Sequence, residues 1–520
     1  MTKTNDFRVV VMMAALALAV SAAALVLVGP PASAANTLVV DDDGEQCENA
    51  TFTSIQSAVD VAGEGDLIRV CPGEYHESVV VDTPLTLAAD DRDALDALGC
   101  FDPAVATLDP TQHAIVDPAG SGFSVAFKLK ANDIDLSGFV VQGASVGIDS
   151  SDSFSGYRVH HNLIRQNTLF GMDFGSEGTL QSRVDHNCFR DAAPRTDTGT
   201  TSWGLVSELD DDSLWVQSVS PIDPSFRSAH ARDLINASID HNSTFRNDAG
   251  LDTAGPGKHN QVTFANNVSR EDNTSIVIQN SKGSHIVDNE LSPSLRSGIS
   301  VGGSNEDLEI ARNVVTSGQN AIFFNGPNPG LFDRFTGPTT YTMVTENTVT
   351  SQRGSAIVAQ PGAGLQDSYL LNNTATGSAG GSGIFLFGGN NNNELRGNTV
   401  SGNAGSGIGL QRATNDEILG NTANGNTLDG IQLQVGSTDN EVRGNTANDN
   451  GRSGIRAFPG ATGNTFEENS MHGNGWNLNA LGPRVDARDD NPLLEDGSLQ
   501  NIWLNNDCDT DFPVGRICGV

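Results

Sequence analysis

Lysine is scarce: the 520 residues hold five lysines, and Lys plus Arg total 29 against 64 Asp plus Glu, for a formal net charge of −35. So acidic a surface excludes the phosphate backbone of nucleic acid as a partner. It suits solubility or a salty medium, and it offers oxygen ligands to calcium. No Cys-x-x-Cys pair occurs among the six cysteines, so thiolate metal sites have no support. No apolar run after residue 34 is long enough to cross a membrane. No helical hydrophobic period survives along the chain either, which leaves strands as the building material.

What is present begins with an export signal. Lys3 and Arg8 precede an apolar run from Val9 to Val28, followed by the small residues Ala32-Ser33-Ala34. This order of charge, apolar core and small-residue site predicts cleavage after residue 34, a mature start at Ala35, and a secreted or surface protein without a membrane anchor. In an exported chain six cysteines read as disulfides. Proximity favours Cys47 with Cys71 and Cys508 with Cys518, which leaves Cys100 and Cys188 to pair or stay free.

From Asn391 the chain repeats itself every 23 to 24 residues, as in NELRGNTVSGNAGSGIGLQ and DEILGNTANGNTLDGIQLQ. Asn398, Asn421, Asn445 and Asn469 hold one place, and Ile408, Ile431 and Ile455 another. The series runs back through Asn373, Asn347, Asn313, Asn289, Asn267, Asn242, Asn187 and Asn162, with Gly138 in the asparagine's place one coil earlier. Such a period signals a solenoid, and the leucine consensus of leucine-rich repeats is missing. Short alternating apolar pairs predict three short strands per coil around a narrow core, in an all-β, right-handed parallel β-helix of about 12 to 14 coils. An inward Asn at a turn tolerates a left-handed backbone and passes its amide to the next coil, so the asparagines should form a ladder.

The ends differ from the repeats. Thr53 and Gln56 suggest a capping box for a short helix whose Ile55, Ala58, Val59 and Ala62 share a face, with Gly63 as its stop. Strands are expected around 67–70, 78–81 and 85–88. The expected division is a signal at 1–34, a cap with first coils at 35–125, repeats at 126–480 and a C-terminal cap at 481–520. A monomer is expected.

The string with Ile55-Gln56, Ala58-Val59, Gly65-Asp66, Pro72-Gly73, Tyr75 and Glu77 resembles the opening of the pectin-lyase-like β-helix superfamily. That resemblance is specific for fold and weak for activity, since the superfamily includes lyases, hydrolases, esterases, epimerases and binding proteins.

Three insertions interrupt the coils, between Asn187 and Leu205, between Leu205 and Ile239, and between Ile322 and Met343. They carry Trp203, Trp215, Phe226, Phe332 and Phe335, aromatics suited to sugar rings. His161, His186 and His241 each precede a ladder asparagine and should form a column, broken by the long insertion, that could hold a transition metal or, at His241, a substrate. The stretch SIDHNSTFRNDAGLDTAGPGKHNQVTFANN is similar to a pectate lyase pattern. By that resemblance Asp248 and Asp252 fall on calcium carboxylates, near the acidic loop Asp210 to Asp212, with Arg296 as base and Lys258, Arg270 and His259 as nearby cations. The family's His-x-Lys motif is absent, with Asn273 and Ser275 near its place, and its paired-arginine motif is reduced to Pro293 and Arg296. Signatures of polygalacturonases, methylesterases and uronan epimerases are absent too. Two functions are therefore carried forward: a carbohydrate-active enzyme, in its sharpest form a calcium-dependent lyase on uronides, and a non-catalytic polysaccharide-binding surface protein. An enzyme should show a cleft over residues 203 to 300 with converging charged groups.

Overall fold

The computed structural model describes residues 35–90, 99–106, 108–118, 124–191, 203–206, 233–247, 249–253, 258–325, 337–477 and 484–519, with backbone alone at 105–106 and 203–206. The expected signal, Trp215, Phe226, Phe332, Phe335, Asp210 to Asp212 and Asp248 lie outside the described residues. From Asn36 onward the chain forms one compact unit.

Each coil visits three parallel sheets in turn, here called A, B and C. Among the described residues they count 18, 11 and 16 strands. The coil from 417 shows the path. Glu417–Leu419 lies in sheet A, Thr422 bridges its neighbours on the B side, and Ile431–Gln434 lies in sheet C. This is the right-handed parallel β-helix expected from the repeat.

Sheet C is held by one apolar column. Ile148, Met172, Leu205, Leu251, Ile276, Ile299, Ile322, Ile357, Ile384, Ile408, Ile431 and Ile455 follow one another in register. Ile408, Ile431 and Ile455 are fully buried. Full burial of each such side chain stabilises the stack by roughly 1.5–3 kcal/mol before entropy is subtracted.

The asparagine ladder runs inside the turn from sheet A to sheet B. Asn398 donates its backbone N–H and its side-chain Nδ2 to Oδ1 of Asn421, both at 2.9 Å, and Asn421 donates likewise to Asn445. The same Nδ2 of Asn421 also reaches the Leu395 carbonyl at 2.8 Å. Every amide thus spends both donors and its acceptor inside the core, which makes buried asparagine affordable. Asn506 extends the ladder one coil beyond Asn469.

Two details of the turn differ from expectation. The left-handed residue is the one before each asparagine, as at His161 (φ 56°), His186 (φ 56°) and His241 (φ 54°). In the regular coils that place belongs to Gly397, Gly420 and Gly444 (φ 66°, 60° and 65°), where a residue without Cβ avoids the strain. Consequently Gly138 (φ 83°) takes the left-handed place, and Phe139, whose N–H donates to Asn162 Oδ1 at 3.0 Å, takes the asparagine's.

The capping helix is Ile55–Val59, and it buries Ile55, Ala58 and Val59. Its N-cap is Ser54 rather than Thr53. The partner that Gln56 was expected to provide is Glu77, whose carboxylate accepts the Ile55 and Gln56 N–H groups at 2.7 and 3.0 Å. A carboxylate from the next turn of chain satisfies orphan donors as well as a local residue does. The helix ends at a C-cap on Asp60, ahead of Gly63.

Beyond residue 484 the winding continues. Val485–Asp489 and then Asp511–Phe512 add to sheet C, and Ile502–Leu504 adds to sheet A. Trp503 stacks on Phe466 at 4.0 Å. All six cysteines pair, as Cys47–Cys71, Cys100–Cys188 and Cys508–Cys518. Among the described residues no helix is long and apolar enough to cross a membrane.

Candidate functional site

Side chains alternate along a strand, so the residue after each inward isoleucine of sheet C faces outward. Followed through the register, this outward column reads Lys128, Asp149, Asp173, Asp252, Val277, Ser300 and Phe323, with the backbone of Val206 pairing between Asp173 and Asp252. Three carboxylates thus stand in one line. They are nearly enclosed, with Asp149, Asp173 and Asp252 at 4%, 4% and 3% exposure. Asp149 and Asp173 sit on adjacent coils, about 4.8 Å apart along the stack, and Asp252 roughly 10 Å beyond Asp173. Lys128 Nζ lies 3.7 Å from Asp149 Oδ2.

Asp252 therefore does occupy the outer side of a sheet C strand, Ala249–Thr253. Arg296, exposed, precedes the strand Ser297–Gly302 two coils on, whose Ser297 lines up through Thr274 with Ala249. It is offset from Asp252 by two coils and four residues, roughly 16 Å between Cα atoms. That is more than an arginine side chain spans. Lys258 lies past the turn, with its N–H on Asp233 Oδ1 at 2.9 Å, and buried His259 opens the sheet A strand His259–Ala265. Arg270 belongs to sheet B, its guanidinium 4.4 Å from the centre of the Phe101 ring. Trp203 begins a sheet C strand, Trp203–Val206. Asp252, Arg270 and His241 thus stand on three different faces. Ser275 is buried and bonded to Ser269 Oγ at 2.6 Å.

Asp149 and Asp173 escaped the sequence reading, although a signal existed. Each directly follows the inward apolar residue of its coil, in Gly147-Ile148-Asp149 and Gly171-Met172-Asp173. Reading one residue further down the repeats finds the column.

The histidines form a second arrangement, at the turn from sheet A to sheet B. His161, His186 and His241 stack with ring centroids 4.9 and 5.0 Å apart and planes within 2°. The column is continuous across the insertion, because Ser182–Asp185 pairs directly with Leu234–Asp240. A carboxylate stands behind each of two rings: His186 Nδ1 is 2.9 Å from Asp185 Oδ2, and His241 Nδ1 is 2.8 Å from Asp240 Oδ1. For His161 the relay is longer. Its Nδ1 meets His160 Nδ1 at 2.7 Å, and His160 Nε2 meets Asp135 Oδ1 at 2.9 Å. Burial pushes the Asp240 carboxyl up, but hydrogen bonds from Arg183, Ser238 and His241 outweigh it and hold the group at about 2. A carboxylate can only accept, so Nδ1 of His186 and His241 carries the proton. The rings border a cavity of about 360 Å³ that Leu163 and the Cys100–Cys188 pair also line.

Comparison with known proteins adds fold relatives. Residues 335–494 match the family of right-handed beta helix regions. No curated protein matches the chain. Among solved structures, the A-module of Azotobacter vinelandii mannuronan C-5 epimerase AlgE6 is similar at 13% identity and a TM-score of 0.38, covering 88% of this chain and 95% of that one. The Dettilon tailspike protein is similar at 13% identity and 0.38, covering 79% and 67%. The alginate lyase of Paenibacillus sp. str. FPU-7 is similar at 14% identity and 0.29, covering 72% and 97%. Likenesses this distant carry no argument about activity, which has to rest on the chain's own residues.

Proposed function

We propose that this is an exported protein that binds an acidic polysaccharide along the outward face of sheet C and cleaves it as a calcium-dependent lyase. The observation that carries the reading is the column of Asp149, Asp173 and Asp252 with Lys128 at its end. Of these, Asp149 and Asp173 stand on adjacent coils and can together supply the oxygen ligands that calcium prefers. Bound there, the ion would neutralise both the column and a uronate carboxylate, lifting the repulsion that a net charge of −35 imposes and acidifying the sugar's C5 proton.

The base follows from geometry. Arg296 lies two coils beyond Asp252, and so at the far end of the column from the adjacent pair Asp149 and Asp173, too far to share one sugar ring with a cation held by that pair. Among the described residues Lys128 contacts the column, at Asp149, and we assign it the proton-abstracting role in place of Arg296 and Lys258. A cation on the column would draw Asp149 away from Lys128 and favour the amine's neutral, basic form. His241, Arg270 and Trp203 would then serve binding outside the cleavage point. One observation favours the alternative of binding without cleavage: the near-complete enclosure of the three aspartates suits a fixed scaffold as well as a reactive site.

The test is ultraviolet absorbance from unsaturated uronide ends on a panel of polyuronates, with calcium or with chelator, for wild type, Asp173→Ala and Lys128→Met. Calcium-dependent absorbance that both variants lose is expected. Binding without absorbance would establish the non-catalytic alternative, and neither binding nor calcium-induced stabilisation would reject both.

A further inference from the structure

We infer that Tyr341 and Tyr369, on the outer side of sheet A, form a binding site for a glycan of amino sugars with free amines, laid along the helix axis. The site is separate from the sheet C column and does not depend on the lyase reading.

Tyr341 breaks a local rule. It belongs to a column of left-handed residues, one per coil, that reads Asp307, Tyr341, Asp367, Asn392, Asn415 and Asp439, with φ between 51° and 60°. Aspartate and asparagine tolerate that backbone, whereas a bulky aromatic residue is strained in it. Packing does not offset the strain, because Tyr341 is 55% exposed. Strain kept without a structural return points to a functional position.

The neighbours share the departure. Thr342 is buried, so Tyr341 and Met343 on either side of it face outward. Met343 pairs with Tyr369 on the next coil, and each is 43% exposed. The Cα atoms of the two tyrosines, one coil and two residues apart, are separated by roughly 8 Å. The chain's other tyrosines, Tyr75 and Tyr157, are buried and donate their hydroxyls to backbone carbonyls.

Carboxylates fence this patch. Asp307 and Asp367 stand one coil before and one coil after Tyr341, and Glu309 and Glu394 close the column of Met343 and Tyr369. His285 engages Glu309, and Arg396 engages Glu394. Among the described residues Asp307 and Asp367 take part in no ion pair, and Lys282, within electrostatic reach of Asp307, is bonded to Glu306 at 2.9 Å. Tyrosine faces inside such a fence reject an anionic chain and attract an ammonium group. A pyranose ring adds a flat C–H face that stacks on tyrosine.

Spacing separates a glycan from a peptide. Asp307 and Asp367 are two coils apart, roughly 10 Å, with Tyr341 midway. An extended β-1,4-linked hexosamine advances by close to one coil per ring and turns over at each step, so its amines return to one edge every second ring. An extended peptide returns to the same side every second residue, roughly 7 Å, and does not meet both carboxylates.

The test is calorimetric titration of the full chain with a glucosamine hexamer in mildly acidic buffer, at physiological salt that screens the general attraction of a −35 protein for cations. The N-acetylated hexamer and hexalysine are the controls. Tyr341→Asn installs the residue type of the neighbouring coils and leaves the net charge unchanged. It should keep or raise thermal stability while weakening the glucosamine hexamer at least tenfold, and Tyr369→Ala should weaken it as well. The acetylated hexamer should bind wild type at least tenfold more weakly than the free amine. No binding of the glucosamine hexamer, unchanged binding in Tyr341→Asn, or equal affinity for the acetylated hexamer would each overturn the proposal. A marked loss of stability in Tyr341→Asn would make the tyrosine structural and overturn it too. Hexalysine binding that falls equally in Tyr341→Asn would overturn the glycan in favour of a basic peptide.

Discussion

The coils from 394 to 471 and those from 125 to 302 share one architecture and differ in how strictly they keep it. In the later coils three polar ladders run side by side. Asn398, Asn421, Asn445 and Asn469 form the first, Asn403, Asn426 and Asn450 the second, and Asn393, Asp416, Asn440 and Asn464 the third. The outward column of sheet C there holds Gly409, Gln432 and Arg456, the last paired with Asp490. In the earlier coils, among the described residues, only the first ladder is unbroken, Asn187 and Asn242 are 55 residues apart yet adjacent in space, and the same outward column holds lysine and three aspartates. Regular coils can spend every inward amide on stability. Coils that depart from the pattern give up ladder rungs and gain chemistry on the outside, as functional regions commonly do.

The comparison breaks most visibly at the regular core. Ile431→Asp buries an unpaired charge between Ile408 and Ile455 and should cost several kcal/mol, on the order of 4 or more. Thermal unfolding checks it, and unchanged stability would contradict the β-helix.

A smaller effect with a distinct pH signature is expected at Asp416, which occupies an asparagine's place in the third ladder. It accepts from the N–H and Nδ2 of Asn393 at 2.8 and 3.1 Å, and its own N–H donates to Asn440 Oδ1 at 2.9 Å. Its other oxygen, Oδ2, lies where the neighbouring asparagines place a donor, and it is buried without a hydrogen-bond partner. Burial pushes this carboxyl up to about 7, against the opposing hydrogen bonds from Asn393. Because the folded value lies above the unfolded one, the native state holds the proton longer. The stability it lends is complete below about pH 4 and lost as pH rises through about 7. Asp416→Asn should therefore stabilise the protein by about 1–3 kcal/mol above pH 7 and by little at pH 4, measured by denaturant unfolding at both pH values. An equal gain at both would refute the protonated rung.

Reduction of the disulfides should have the smallest effect on the regular coils. Cys47–Cys71 and Cys508–Cys518 secure the two ends, and Cys100–Cys188 ties residues 99–106 to the irregular half. Limited proteolysis after reduction should cut the ends first. Early fragments from within 391–470 would contradict the account.

Much of the regular half was legible in the sequence, because a period of 23 to 24 residues exposes both inward positions at once. The isoleucine column and the first ladder follow from spacing alone. The second and third ladders were missed because their residues, among them Ser378 and Asp416, are less uniform and fall in turns whose direction only the winding fixes. The pairing of Cys100 with Cys188 spans 88 residues, and nothing local signals it. The same holds for Glu77 at the helix cap, which acts from the following turn. In the site, Asp252 was legible through its motif. Asp149 and Asp173 required reading across coils, where neighbours lie about 25 residues apart in sequence and one hydrogen bond apart in space. The histidine column was foreseen as a column, but its continuity depends on an insertion that leaves the strand pairing on either side intact.

The central claim is that function resides on the outward face of the irregular coils while the regular coils serve as scaffold. The most direct measurement compares two substitutions at equivalent places in the same sheet C column, Asp173→Asn and Gln432→Ala, by the affinity of the folded full-length protein for polyuronates in the presence of calcium. The account predicts at least tenfold weaker binding for Asp173→Asn and wild-type affinity for Gln432→Ala. Equal affinities in the two variants, or a loss confined to Gln432→Ala, would contradict it.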